Sequence, residues 1–272
     1  MGVVRLQSPQ LHVTRDGEEW VRDEGSQLEH GLKLNCLNMS DSTRTIQHVG
    51  EVLKSRRDCD PENVTTFFDE WAADYEQDVN ILDYQGPDLV AELISSNFSG
   101  NREAALVLDV ACGPGQIAKL MSELSFKRFV GIDCSKGMLE EAAKTGLYED
   151  LKLVNLGTEP LPAQADTVDV VAMVGALQPD LVPFSVLREL CHVTKPGGLI
   201  CVTKAQHRTD PEGFTALVEK EFKLLEDEGL WCCVDVKKSD QYIRDGTLIG
   251  QKDKQDVGFT SGTAYLFRKP LV

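Results

Sequence analysis

The sequence predicts an α/β fold built on a doubly wound, seven-stranded, mostly parallel sheet. Three observations predict it. Apolar runs such as ALVLDV and VDVVAMV show no polar alternation, as strands covered on both faces by helices require. Segments with helical signals alternate with those runs along the chain. A glycine-bearing turn, ACGPGQIA, follows directly on the first run, where an open α/β sheet places its ligand.

The elements follow in order. Residues 1–59 mix charged and polar residues with isolated aliphatics, and are expected to form a mostly disordered arm with one short helix near Ile46 to Leu53. The domain is expected over residues 60–272. Asp60-Pro61-Glu62 reads as a helix start, with Asp60 as N-cap and Pro61 in the first turn, leading into FFDEWAADYEQDV. A second helix is predicted over Gly86–Asn97. Strands are then predicted over Ala105–Val110, Arg128–Asp133, Leu151–Asn155, Val168–Val174, Gly198–Thr203, Trp231–Lys237 and Gly262–Phe267. Between them come helices over Gly115–Leu124, Ser135–Thr145 behind an N-cap serine, Pro183–His192 and Pro211–Glu228 behind Asp210. The last two strands have only a polar stretch between them, so they are expected to pair antiparallel at one edge.

Bulk properties narrow the function. With 28 basic and 44 acidic side chains, the formal net charge is −16, which disfavours nucleic acid and anionic membrane surfaces as partners. No run of 18 apolar residues and no apolar signal core occurs, so a cytoplasmic, monomeric protein is expected, the nucleus remaining open. Eight cysteines without a CxxC pair read as reduced thiols, with vicinal Cys232 and Cys233 on opposite faces of a strand. Five scattered histidines predict no metal site.

The chemistry centres on LVLDVACGPGQIA. Gly113 and Gly115 allow close approach of a ligand to the backbone at a helix start. With Ala118, and with Asp133 as a ribose acceptor 18 residues past Gly115, they also satisfy a dinucleotide fingerprint, so a nicotinamide dehydrogenase must be considered. Asp109 argues against it: a carboxylate beside a pyrophosphate repels, whereas one beside the ammonium of a methionine moiety attracts. The D-x-x-C-G-x-G pattern therefore suits a cationic amino acid joined to a nucleoside.

Asp109, Cys112, Gly113 and Gly115, followed by Asp133 in VGIDCSKGML, resemble the first two motifs of class I S-adenosylmethionine-dependent methyltransferases. EPLP at Glu159–Pro162, TVDVV at Thr167–Val171 and KPGG at Lys195–Gly198 extend the resemblance over roughly residues 60 to 272. It implies a Rossmann-like fold with an N-terminal helical lid, and S-adenosyl-L-methionine as cofactor. It further implies backbone contact from Gly113 and Gly115, with Ala111, Cys112, Cys134 and Val174 nearby. Asp109 would orient the amino end, Asp133 would accept the ribose hydroxyls, and Met138 would press on the adenine. Many members carry an acidic residue for the adenine amino group where this chain has Gly157, followed by Thr158, which leaves that recognition to backbone or to Thr158. Trp71 and Tyr75 share one helix face. That face is either plain core or a lid that brings Tyr75 to the methionine end.

Methyl transfer is an in-line displacement, so the protein chiefly positions the reactants and strips water from their path. Gly175 to Gln178 stand where relatives bind the acceptor, yet GALQ offers no strong base and no catalytic residue is named. Three functions stay open. The first is a methyltransferase acting on a small molecule or a protein, the second a cofactor-binding protein without transfer, and the third, well behind, the dehydrogenase.

Overall fold

The computed structural model describes residues 44–57, 59–60, 63–179, 181–206, 213–245 and 258–271. The element order is α1 (Ile46–Arg57), α2 (Val64–Ile81), α3 (Gly86–Asn97), β1 (Leu106–Val110), α4 (Gln116–Glu123), β2 (Arg128–Asp133), α5 (Lys136–Lys144), β3 (Tyr148–Leu153), β4 (Val168–Met173), α6 (Ser185–Val193), β5 (Thr194–Ala205), α7 (Phe214–Asp227), β6 (Cys232–Arg244) and β7 (Phe259–Arg268). The sheet order is β3-β2-β1-β4-β5-β7-β6. The pairs among β1 to β5 are all parallel, and β7 runs antiparallel to both β5 and β6.

Strand alternation explains why the sheet needs cover on both faces. Leu108, Val110, Val171 and Met173 point into one core together with Leu187, Leu190 and Trp231. Val107, Val170 and Ala172 point into the other, among Ile94, Met121 and Phe126. Neighbouring residues of one strand thus bury on opposite sides, the period of two expected of a pleat. The order of strand addition reverses at β1, which pairs with β2 on one side and β4 on the other, so the switch point lies beyond the carboxyl end of β1.

Several boundaries shift. α1 is present and longer than predicted, and it packs against α2, where Arg44 bonds Asp74 and Asp78 at 2.5–2.6 Å. The assignment of residues 1–59 to an arm is therefore corrected for 44–57; residues 1–43 lie outside the described residues. α2 starts at Val64 behind Asn63, whose N–H donates to the Asp60 carbonyl at 2.9 Å, so Asp60 is not the N-cap. Pro61, Glu62 and the proposed Asp210-Pro211 start of α7 also lie outside the described residues. β3 begins three residues before the predicted Leu151, and β6 runs seven beyond the predicted Lys237. Both are edge strands, half-exposed or exposed along most of their length, so no apolar run marks their ends.

Candidate active site

β1 ends in Val110, and the chain turns sharply through Ala111 (φ 54°) and Gly113 (φ 53°) to the start of α4. A Cβ placed on Gly113 would meet nothing within 4 Å, so the loop leaves open space at this position. Asp133, at the end of β2, accepts hydrogen bonds from Gly113 N–H and Ser135 N–H, each at 2.9 Å. One carboxylate thereby ties the two strand-end turns together. Burial raises its pKa, and the backbone N–H groups oppose that rise.

Ser135 caps α5 by accepting from Met138 N–H at 3.1 Å, as its place in the sequence predicts. Its own hydroxyl donates to Asp69 of α2 at 2.6 Å, and Gly137 N–H donates to the same carboxylate oxygen at 2.9 Å. A side chain at Gly137 would run into the Asp69 backbone. α2 is thus seated on the N-terminus of α5, where an acidic side chain is favourable.

Beyond the strand ends lies a cavity of about 310 Å³. It brings together Tyr75, Ala111, Gly113, Asp133, Cys134, Met138 and Val174 of the predicted site. Trp71 lines it too. Trp71 is 8% exposed and donates from Nε1 to buried Asp78 at 2.7 Å, while its ring meets Tyr75 at 4.7 Å, so the face is core and cavity wall at once. Burial holds the Tyr75 phenol well above its ordinary pKa, and nearby Asp133 adds to the effect.

Five predicted residues do not line the cavity. Asp109 is 1% exposed and accepts from the Tyr148 hydroxyl at 2.6 Å; burial pushes its carboxyl up to about 7, against that hydrogen bond. Its carboxyl is thus bonded inside the sheet, behind the cavity wall. Cys112 is buried, with its N–H given to Ile132, and Gly115 abuts the Tyr148 ring. Both act behind the loop. Gly157 has φ 83°, and a Cβ there would overlap the Pro183 ring. Thr158 turns its hydroxyl to the Asn155 carbonyl at 3.0 Å. Asn155 and Leu156 line the cavity in their place.

Several other wall residues carry no motif that would mark them. Arg56 and Phe68 come from the chain's N-terminal helices, and Tyr84, Tyr242, Ile243 and Arg244 come from α2–α3 and the end of β6. Tyr84 and Tyr242 are 158 positions apart, with hydroxyls 3.3 Å from each other, a juxtaposition that only the sheet order creates.

Residues 107–198 match the family described as methyltransferase domain. The methyltransferase-like protein 27 of Homo sapiens is 44% identical over 165 residues, which are 61% of this chain and 66% of that protein. Residues 107–198 thus carry a domain of the methyltransferase family. Another relative within it, the demethylmenaquinone methyltransferase of Bacillus velezensis, is 34% identical over 113 residues, 39% of this chain and 48% of that protein. The chain thus spans a little under two thirds of one relative's length and about half of the other's. Family membership implies S-adenosyl-L-methionine as cofactor, and the open space at Gly113 beside the Asp133 carboxylate fits such a group.

Two solved structures share this fold. A chain from the complex between the Haloferax volcanii Trm112 methyltransferase activator and a methyltransferase superposes with a TM-score of 0.54 at 16% identity, covering 75% of this chain and 96% of that one. The cyclase SpnF superposes with a TM-score of 0.51 at 19% identity, covering 68% and 81%. At these identities the likeness concerns the fold alone, and a cyclase among the neighbours shows that the fold does not dictate the reaction.

Proposed function

We propose that this protein transfers a methyl group from S-adenosylmethionine to an acceptor bound in the cavity at the strand ends. The observation that carries the reading is the Asp133 carboxylate on the cavity wall, bonded to Gly113 N–H and Ser135 N–H beside the open space at Gly113. Asp133 keeps lone pairs for the ribose hydroxyls, Met138 offers an apolar contact to the adenine, and Ala111, Cys134 and Val174 complete that wall. Asn155, in place of Thr158, stands where a carboxamide oxygen can accept from the adenine amino group. Tyr75 faces the same space from α2. Asp109, Cys112 and Gly115 support the loop from behind.

The cofactor supplies an electrophilic methyl on a sulfonium. What the chain supplies is position and exclusion of water: α1 and α2 cover the strand ends with Leu53, Phe68 and Trp71, and the glycine loop lets the backbone approach closely. The acceptor is a small molecule or a protein group, while the net charge of −16 disfavours nucleic acid. The seven described cysteines are free thiols, which accords with a reducing, cytoplasmic compartment. No described helix is long and apolar enough to cross a membrane.

A second reading, cofactor binding without transfer, draws on the lack of a strong base in Gly175 to Gln178. Incubating the full chain with methyl-radiolabelled S-adenosylmethionine and cell extract separates the two. Label recovered in a protein band or a small-molecule fraction supports transfer; none above a chain carrying Asp133→Ala favours the second reading.

A further inference from the structure

The cavity wall also carries a polar pair that the cofactor reading leaves unused. Tyr84 follows α2, Tyr242 lies on β6, and their hydroxyls are 3.3 Å apart with the rings edge to face. Space for the pair is made by glycines on separate elements. A Cβ on Gly175, directly after β4, would lie 2.6 Å from the Tyr84 oxygen, and one on Gly86 would lie 2.5 and 2.8 Å from the two phenol oxygens. A side chain at Gly262 on β7 would overlap the Tyr242 ring. The room left by Gly86 and Gly175 is room for the phenol oxygens themselves, which phenylalanine would leave empty.

Proton counting suggests what that use is. Gly175 N–H donates to Thr203 Oγ1 at 2.8 Å, and the fully buried Thr203 is left to give its own proton to the phenols, with which it is hydrogen-bonded. Burial holds both phenols above their ordinary pKa, so they stay protonated donors rather than bases. Thr203 supports the pair from behind, one phenol donates to the other, and the remaining phenol proton can be given forward to a ligand. The surrounding wall is aromatic and aliphatic, which suits a flat ring. Its charged side chains balance, Arg56 and Arg244 against Asp133 and Asp245, and Arg244 is held by Asp83 at 2.6 Å from Nε.

We propose that Tyr84 and Tyr242 form the acceptor-recognising end of the cavity, and that they hold an oxygen atom of a small, uncharged, ring-bearing molecule. The proposal rests on the reading of this cavity as a methyl-transfer site. It adds to that reading a ligand class and the two residues that select it.

The test uses the full chain saturated with S-adenosylhomocysteine and three probes, 2-naphthol, 2-methylnaphthalene and 2-naphthoate, titrated by ligand-observed NMR. Calorimetry on each variant gives the S-adenosylhomocysteine affinity. The expected result is that 2-naphthol binds best, that Tyr84→Phe and Tyr242→Phe each weaken it about tenfold, the scale of one lost hydrogen bond, and that both leave 2-methylnaphthalene and S-adenosylhomocysteine unchanged. Thr203→Val, which touches the pair only from behind, is expected to weaken 2-naphthol less and serves if a tyrosine variant fails to fold. Equal 2-naphthol affinity in folded variants, a preference for 2-naphthoate, or no binding of 2-naphthol would overturn the proposal. Failure of the wild-type chain to bind S-adenosylhomocysteine would instead overturn the methyl-transfer reading beneath it.

Discussion

Single carboxylates fix the geometry of the site: Asp133 ties two strand-end turns together, and Asp69 seats α2 on α5. Asp133 sits where its position after β2 predicts, on the cavity wall, and its two backbone partners make it a structural tie as well. Asp133→Ala should weaken S-adenosylmethionine binding by about 1.5–3 kcal/mol and also lower the melting temperature, because two buried N–H groups lose their acceptor. Unchanged calorimetric affinity in a folded variant would remove it from the site. Asp109 has the same motif credentials but turns to Tyr148, and its pKa rises from 3.8 to about 7. The folded state holds that proton more tightly than the unfolded chain. The resulting stability is complete below about pH 4 and is lost as pH rises through about 7. Melting curves of wild type and Asp109→Asn should therefore differ in slope, with wild type losing ground to the variant between about pH 4 and 7; parallel curves would show that Asp109 is ionised throughout. Asp69, which no motif marks, holds the N-terminus of α5. Gly157 reads as a vacancy for an adenine-binding acid, and the positive φ and the Pro183 ring make it the opposite. Gly157→Asp should lower the melting temperature and weaken cofactor binding, and tighter binding at unchanged stability would contradict the geometry.

At the scale of elements, the strands buried on both faces were the most legible. β2 and α3 match their predicted bounds, and β1 and β4 differ by one residue, because uninterrupted apolar runs and a glycine or proline boundary leave little choice. The edge strands were less so, since half their residues face solvent. α1 shows the limit most clearly. Its apolar side chains are few and its signal is weak, yet Arg44 just before it reaches buried Asp78, which also accepts from Trp71 Nε1. A single guanidinium thus holds the helix that supplies Phe68, Trp71 and Tyr75 to the cavity. Removing it leaves Asp78 a buried charge without its cation, a loss of about 3–5 kcal/mol where such pairs are fully buried and less here, because Asp74 and Arg44 are partly exposed. Deleting residues 1–43 should then leave melting temperature and S-adenosylmethionine affinity close to wild type, whereas deleting 1–59 should reduce both. Identical behaviour of the two truncations would show that α1 adds nothing to the cavity.

For the whole molecule, fold class and cofactor class were readable because they depend on local order: strand, glycine turn, helix, strand, acid. The acceptor end was not, because it is assembled from the segment after α2, the turn after β4 and the last two strands, which the reversed β7-β6 order brings together. No spacing rule in the chain connects Tyr84 to Tyr242. The same assembly means that the family likeness, which is densest over residues 107–198, covers the cofactor half better than the acceptor half. The measurement that bears most directly on the central claim is calorimetry of the purified full chain with S-adenosylmethionine, S-adenosylhomocysteine and NAD in parallel. The account predicts saturable binding of the first two at one site, weakened by Asp133→Ala, and none of NAD. Heat with NAD and none with either sulfur nucleoside would contradict it.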